Sequence, residues 1–231
     1  MAERNYNRRY KNEYNIFRSM FYFGFMHSVV VPFMHIFFDY KVEGKENLPK
    51  NRKLIFTANH VSHFDPPMMS WACHSLIAYM AKKELFQKGD KWEFLVKRLG
   101  AFAVDRTKPE IATFKTVRDI LSTNNWALGV FPQGGIRPYG SDIADLKKGF
   151  VVIAKNAKAD IVPVAISNWG GYPKLKPFTK STVELHIGKP ISYELPEDEI
   201  IRQWCEHIMK FADYTCSLSK NDASLEEKAL S

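Results

Sequence analysis

The sequence is short of cysteine. Cys73, Cys205 and Cys216 are the only three in 231 residues. They are odd in number and lack the spacing of metal ligands, so a disulfide framework or a zinc module is not what holds this chain together. Reduced thiols in a cytosolic compartment are the simplest reading. Internal repeats and long linkers are also missing, which points to one domain of ordinary size. There is no G-x-S-x-G, and no cysteine sits in a histidine pattern, so an enzyme nucleophile is not evident. No small-residue cleavage site follows the first apolar stretch, which argues against a secretory signal. Acidic residues are in deficit: 25 Asp and Glu face 33 Lys and Arg, a net charge of +8. That excess suits an anionic partner, whether nucleic acid, a phosphorylated substrate or an anionic membrane.

One stretch lacks charge altogether. Residues 20–38, MFYFGFMHSVVVPFMHIFF, contain no Asp, Glu, Lys or Arg. As a helix they would reach roughly 28 Å, close to the thickness of a bilayer core. Two histidines, Ser28 and a central Pro32 argue against a simple span. The preferred reading is an anchor lying in or dipping into one leaflet, with Arg4, Arg8, Arg9, Lys11 and Arg18 on anionic headgroups. A buried core helix and a true span are the alternatives.

Beyond this segment, short apolar runs alternate with amphipathic ones. Strands are expected over 53–59, 76–81, 102–104, 127–131, 161–166 and 183–188. Helices are expected over 66–74, 90–99, 109–123, 145–157 and 196–217. The alternation predicts an α/β domain: a mixed, largely buried sheet flanked by helices, with an N-terminal membrane-associating helical segment. The expected organisation is 1–41 for the anchoring segment, 42–218 for the catalytic domain, and 219–231 for a polar, frayed tail.

Four stretches carry chemistry. In NHVSHFDPP (59–67), His60 and Asp65 follow directly on an apolar strand, the usual place for functional residues in α/β domains. A histidine is a natural general base near neutral pH, and a carboxylate can fix its tautomer and stabilise the imidazolium. With no enzyme nucleophile evident, such a base would act on a substrate hydroxyl. A metal site built from His60, His63 and Asp65, or a capping Asn59 beside a satisfied core histidine, are the competing readings. In GAFAVDR (100–106), Arg106 closes a short strand, where an arginine can hold a phosphate; a surface ion pair is the bland alternative. In VFPQGGIRP (130–138), Gly134 and Gly135 allow close backbone approach, their amides can bind an oxyanion or phosphate, and Arg137 adds charge. An ordinary glycine-rich turn competes. In IVPVAIS (161–167), Pro163 inside an apolar run suits an edge, a bulge or a strand end.

These four stretches, in this order and at about this spacing, resemble the glycerophospholipid acyltransferase family, in particular its bacterial 1-acylglycerol-3-phosphate acyltransferases. That family's N-H-x-x-x-x-D motif is matched by Asn59, His60 and Asp65. Its second motif is matched by 100–106, its F-P-E-G motif by 131–137, and its V-P-V motif by Val162, Pro163 and Val164. VEGKENLP (42–49) and MAKKELF (80–86) also look like the family. The resemblance covers about residues 42–190.

The resemblance implies that His60 deprotonates an acceptor hydroxyl and that Asp65 orients it. The hydroxyl then attacks the thioester of a fatty acyl donor, either acyl-CoA or acyl-acyl carrier protein. The acceptor would be lysophosphatidic acid and the product phosphatidic acid, in phospholipid biosynthesis. The backbone around Gly134 and Gly135 becomes a candidate oxyanion site. Arg106, Arg137 and, more weakly, Lys83 become candidates for the phosphate. No cofactor and no metal are implied, and no nucleic acid. The membrane surface is an implied partner, with the enzyme on its cytoplasmic face. Two departures stand out. Gln133 occupies the position of the family glutamate, keeping shape and hydrogen bonding but not charge, and is a candidate for substrate binding at the acceptor hydroxyl. Ile136 shifts Arg137 by one residue from the family arginine. Other acceptors (glycerol 3-phosphate, another lysophospholipid, an amino-lipid) and a weakly catalytic lipid-binding protein are the alternatives left standing. A metal hydrolase is a further competitor.

Overall fold

The computed structural model describes residues 6–50, 53–87, 93–105, 110–123, 125–143, 145–169 and 179–217. Among them, seven strands form one sheet. In chain order they are β1 (Phe38–Glu43), β2 (Leu54–Ala58), β3 (Leu76–Lys82), β4 (Phe102–Val104), β5 (Trp126–Val130), β6 (Asp160–Ser167) and β7 (Ser181–Ile187). Their spatial order is β1-β7-β6-β2-β5-β3-β4. All neighbouring pairs are parallel except β6–β7. The helices on this sheet are α3 (Asp65–Ala72), α4 (Glu93–Arg98), α5 (Ile111–Leu121), α6 (Gly149–Ala157) and α7 (Glu197–Phe211). The expected α/β architecture is the one observed.

The reason lies in the runs themselves. LIFTA and WALGV are buried at every position, as strands covered on both faces require. Parallel neighbours need crossovers, and the amphipathic segments supply them as helices. The consequence for function is positional. β2, β5, β3, β4 and β6 are mutually parallel, so the segments that follow them emerge at one end of the sheet. All four motif stretches reach that end.

Pro163 lies within β6, an interior strand. Its carbonyl accepts from Gly188 N at 2.8 Å, so its missing N–H faces the same side, towards β7. Pairing there stops at Val164↔Ile187 and resumes at Ile161↔Ile191. The unequal spacing is a bulge, one of the three settings expected for this proline.

The N-terminal segment is one helix from Ile16 to Phe37, long and apolar enough by length and composition to cross a membrane. It comprises α1 (Ile16–Phe25), a π turn (Met26–Val30) and α2 (Val31–Phe37). The π turn directly precedes Pro32, whose absent N–H cannot close an ordinary helical turn. Tyr22, Met26, Val30 and Met34 form a stripe at four-residue spacing and are buried against the domain. Outside this stripe, Ile16, Phe17, Met20, Phe23, Val29 and Ile36 are exposed, Phe17 by 78% and Met20 by 65%. The helix is therefore apolar on both sides, with one side seated on the fold.

Two sequence expectations change here. β1 runs across the 41/42 boundary, because FDYKVE alternates burial like a half-covered strand and pairs with β7. Three of the basic residues expected on headgroups, Arg8, Arg9 and Arg18, turn inward rather than outward. Arg9 is 1% exposed. Its Nε donates to Ala101 O at 2.7 Å, its Nη2 to Lys97 O at 2.9 Å, and its Nη1 pairs with Glu13 at 3.2 Å. Arg8 pairs with Asp119 at 2.6 Å, and Arg18 donates to the carbonyls of Lys97 and Arg98. Arg9 and Arg18 satisfy carbonyls left over at the end of α4 and the following turn. Lys11 stays exposed, and Arg4 lies outside the described residues.

Candidate active site

β2 ends at Ala58, and the chain turns through 59–64 into α3. Asn59 is buried and clamps two strands. Its Nδ2 donates to Ile166 O, and its Oδ1 accepts from Ile166 N, both at 2.8 Å. It is thus a strand clamp and not a helix cap. Asp65 begins α3, where its negative charge meets the positive end of the helix. It is 0% exposed. Its Oδ2 accepts from Val61 N at 2.7 Å, Ser62 N at 2.8 Å and His60 Nδ1 at 2.7 Å. Its Oδ1 accepts from Trp169 Nε1 at 3.3 Å. Four donors hold this carboxylate, so its orientation is fixed.

Because Asp65 only accepts, His60 Nδ1 carries the proton and Nε2 presents a lone pair. The imidazole side chain is 15% exposed, enough for a substrate to reach. Its plane rests on Phe131, with centroids 4.2 Å apart and 22° between planes. A neutral imidazole held at Nδ1, with Nε2 open, is the arrangement of a general base. His63, two residues before Asp65, is exposed, and the Asp65 oxygens are engaged elsewhere. Among the described residues no group of three or more His, Cys, Asp or Glu is arranged to hold a metal ion.

The glycine-rich stretch folds back onto this pair. Gln133 is buried, and its Oε1 accepts from His60 N at 2.6 Å. Arg137 N donates to His60 O at 2.8 Å. Both main-chain groups of His60 are therefore held by the segment after β5. Gln133 Nε2, by contrast, has no hydrogen-bond partner among the described residues. A glutamate here would accept the same bond from His60, so the amide preserves the contact that shapes the histidine. Gln133→Ala is expected to lower kcat by about three- to tenfold, the worth of one hydrogen bond that positions a reacting group. Gln133→Glu should retain more activity. Steady-state kinetics of the two variants side by side checks this; equal activity in both would show that the contact does not matter.

The glycines divide their labour. Gly134 has φ +67°, and its N–H donates to Phe131 O at 3.0 Å. Its amide is spent on the turn, which removes it as an oxyanion donor. Gly135, whose added Cβ would meet nothing within 4 Å, is the glycine of the pair left at an open position. The Arg137 side chain is half-exposed and lies 3.6 Å from the exposed Asp145. Lys83 follows β3 and pairs with Asp105 at 3.3 Å, after β4. Arg106 lies outside the described residues. The fold thus brings together His60, Asp65, Gln133 and the Arg137 backbone, and sets Lys83 and Asp105 at the ends of β3 and β4.

Sequence reasoning missed one member of this site: Trp169 reaches Asp65 from beyond β6, and no local pattern announces it. Gln133, expected at the substrate, also holds the His60 main chain.

An acyltransferase family model matches residues 39–167, a span that contains His60, Asp65, Gln133 and Arg137. The 1-acyl-sn-glycerol-3-phosphate acyltransferase of Bacillus subtilis is 36% identical over 154 residues, 65% of this chain and 73% of that protein. The enzyme of the same name from Saccharomyces cerevisiae is 33% identical over 205 residues, 83% of this chain and 66% of that protein. The crystal structure of the 1-acyl-sn-glycerophosphate (LPA) acyltransferase from Thermotoga maritima superposes with a TM-score of 0.61 at 26% identity, covering 89% of this chain and 81% of that one.

Proposed function

The chain belongs to the acyltransferase family, and on that premise we propose that it moves a fatty acyl group from a thioester to the free hydroxyl of lysophosphatidic acid, giving phosphatidic acid. The carrying observation is the His60–Asp65 pair: a base with a fixed tautomer at the open end of the sheet, inside a chain whose relatives bear the name of that reaction.

His60 Nε2 accepts the proton of the acceptor hydroxyl as its oxygen attacks the thioester carbon. Asp65 stabilises the imidazolium that forms. The tetrahedral oxyanion needs donors, and the Gly135 amide is the candidate within the glycine pair. Collapse breaks the carbon–sulfur bond, and the leaving thiolate takes the proton back from His60. One ester and one thiol result, with no cofactor in the balance. Arg137, Arg106 and, more weakly, Lys83 are the cations proposed for the phosphate. The donor is acyl-CoA or an acyl carrier protein, drawn by the basic surface.

The membrane reading follows from the helix. A stripe from Tyr22 to Met34 fixes it along the domain, so it cannot cross a bilayer without drawing the domain in with it. An interfacial seat, with the exposed apolar side in the headgroup and acyl boundary on the cytoplasmic face, is the arrangement we favour. Excising residues 1–40 would be a poor test, because it removes core side chains and half of β1. Phe17→Ser with Phe23→Ser leaves the buried stripe intact. This pair is expected to weaken binding to anionic vesicles by at least about tenfold, with thermal stability unchanged. Unaltered sedimentation with vesicles would reject this seat.

Acyl transfer to lysophosphatidic acid, compared with glycerol 3-phosphate and other lysophospholipids, tests the acceptor. Transfer to another acceptor in preference would overturn the assignment of lysophosphatidic acid.

A further inference from the structure

Behind the His–Asp pair lies a line of three hydroxyls that the reaction does not use. Tyr22 comes from α1, Ser70 from α3 and Tyr79 from β3. Tyr22 Oη donates to Ser70 Oγ at 2.7 Å. Ser70 Oγ and Tyr79 Oη lie 2.8 Å apart. Tyr79 Oη donates to Pro66 O at 2.7 Å. The direction of the line is fixed by counting protons. A carbonyl only accepts, so the single proton of Tyr79 goes to Pro66. The Tyr79 oxygen then accepts from Ser70, and Ser70 accepts from Tyr22. Three bonds run one way, from the apolar helix to the first turn of α3. Pro66 is the residue next to Asp65.

The ring of Tyr79 meets the other member of the pair. It stacks on Phe131 at 6.0 Å with 15° between planes, and Phe131 stacks on His60 at 4.2 Å. Gly129 makes the first of these contacts possible. A Cβ at Gly129 would lie 2.4 Å from Tyr79 Cε1, closer than any side chain tolerates. One side chain therefore touches the carbonyl beside Asp65 with its hydroxyl and backs the ring under His60 with its face.

We propose that Tyr79 is the positioning residue of the His60–Asp65 pair, and that through Ser70 and Tyr22 it ties the geometry of that pair to the seating of the apolar N-terminal helix. The proposal rests on the reading of His60 as the base, given above. It predicts that a bond formed by the helix, far from the chemistry in sequence, acts on turnover and not on substrate binding. Small displacements of a base are costly, since its reach to the reacting proton must be held to a fraction of an ångström.

The test is steady-state kinetics in one fixed mixed-micelle system, normalised to folded protein, with thermal unfolding recorded for every variant. Tyr79→Phe keeps the ring and removes the bond to Pro66. It is expected to lower kcat by about fivefold to tenfold with KM for both substrates within about twofold. Tyr79→Leu, which also removes the face under Phe131, should fall about tenfold further. Tyr22→Phe should lower kcat by a smaller factor. The double variant Tyr22→Phe/Tyr79→Phe should be no slower than Tyr79→Phe alone, because the helix acts through the bond already lost. Ser70→Ala interrupts the line without touching either ring, and provides the same comparison if Tyr79→Phe does not fold.

Wild-type kcat in Tyr79→Phe, a change in KM alone, or losses that multiply in the double variant would each overturn the proposal. A merely structural hydroxyl would lower the melting midpoint and leave kcat per folded molecule in place. His60→Ala in the same assay separates the two readings: if it keeps wild-type turnover, the assignment of the base fails. If it is inert while the Tyr79 series is fully active, only the positioning role fails.

Discussion

His60→Ala is expected to lower kcat for acyl transfer to lysophosphatidic acid by about 10²–10⁴-fold, the usual contribution of a positioned general base. The direction follows from geometry. Nδ1 is committed to Asp65 at 2.7 Å, which leaves Nε2 as the imidazole atom able to take a proton. Alanine removes that atom and leaves the fold's hydrogen bonds to the His60 main chain in place, since Gln133 and Arg137 hold backbone groups. KM should therefore change far less than kcat. Asp65→Asn should be nearly as damaging, for a different reason. An asparagine amide would turn a donor towards groups that are themselves donors: the Val61 and Ser62 amides, the His60 imidazole and the Trp169 indole. His63→Ala is the control. His63 is exposed and is not the histidine on Asp65, so it should remain within about twofold of wild type. Equal losses at His60 and His63, with both proteins folded, would remove His60 from its role.

The second large effect is on stability. Arg9→Ala is expected to cost about 3–5 kcal/mol, the range found when one member of a buried charged network is removed. Arg9 is 1% exposed and joins three segments: Glu13, the carbonyl of Lys97 at the end of α4, and the carbonyl of Ala101 before β4. Alanine removes the guanidinium from the Ala101 carbonyl, leaves Lys97 O and Glu13 to Arg18, and opens space at the Tyr6 ring, over which the guanidinium now sits. For a chain of this size each kcal/mol moves the melting midpoint by roughly 2–4 °C, so a drop of about 6–20 °C should be seen by thermal unfolding in detergent. A drop of less than about 3 °C would mean that the segment before α1 is not anchored as described. Arg9→Lys should recover only part of the loss, because an ammonium cannot reach three acceptors in a plane.

The contrast between these two residues shows what a sequence discloses. His60 and Asp65 are five residues apart on one turn, so their meeting is a local event. The buried runs LIFTA, WALGV and IVPVAIS carry their strand character in composition alone. Arg9 offers no such clue. A basic residue before an apolar helix reads as a headgroup ligand, and its burial depends on carbonyls about 90 residues away. Trp169 is invisible for the same reason, and so is the main-chain contact that Gln133 makes: each is defined by a partner far along the chain. β1 was hidden differently. The apolar run of the helix leads straight into FDYKVE, and nothing but the partner strand marks where one period gives way to the other. At the far end, the amphipathic pattern of α7 suggested a helix to residue 217. It stops at Phe211 because Asp213 and Thr215 accept from Gly140 and Ile143 instead.

The pairing of β1 with β7 sets an order of events in the making of the protein. Phe38 finds its neighbour in Ser181, so the first strand to leave the ribosome waits for the last. At about 5–20 residues per second, the synthesis of the intervening chain takes roughly 7–30 s. Throughout that interval the apolar helix has left the ribosome while the edge that will anchor its C-terminal end does not yet exist. Tyr22 can already reach Ser70 in that time, but the strand that continues the helix still lacks its neighbour. Under the interfacial seat proposed above, a lipid surface can capture the helix before the sheet closes, and closure of the fold is then set by the distance along the chain between two strands.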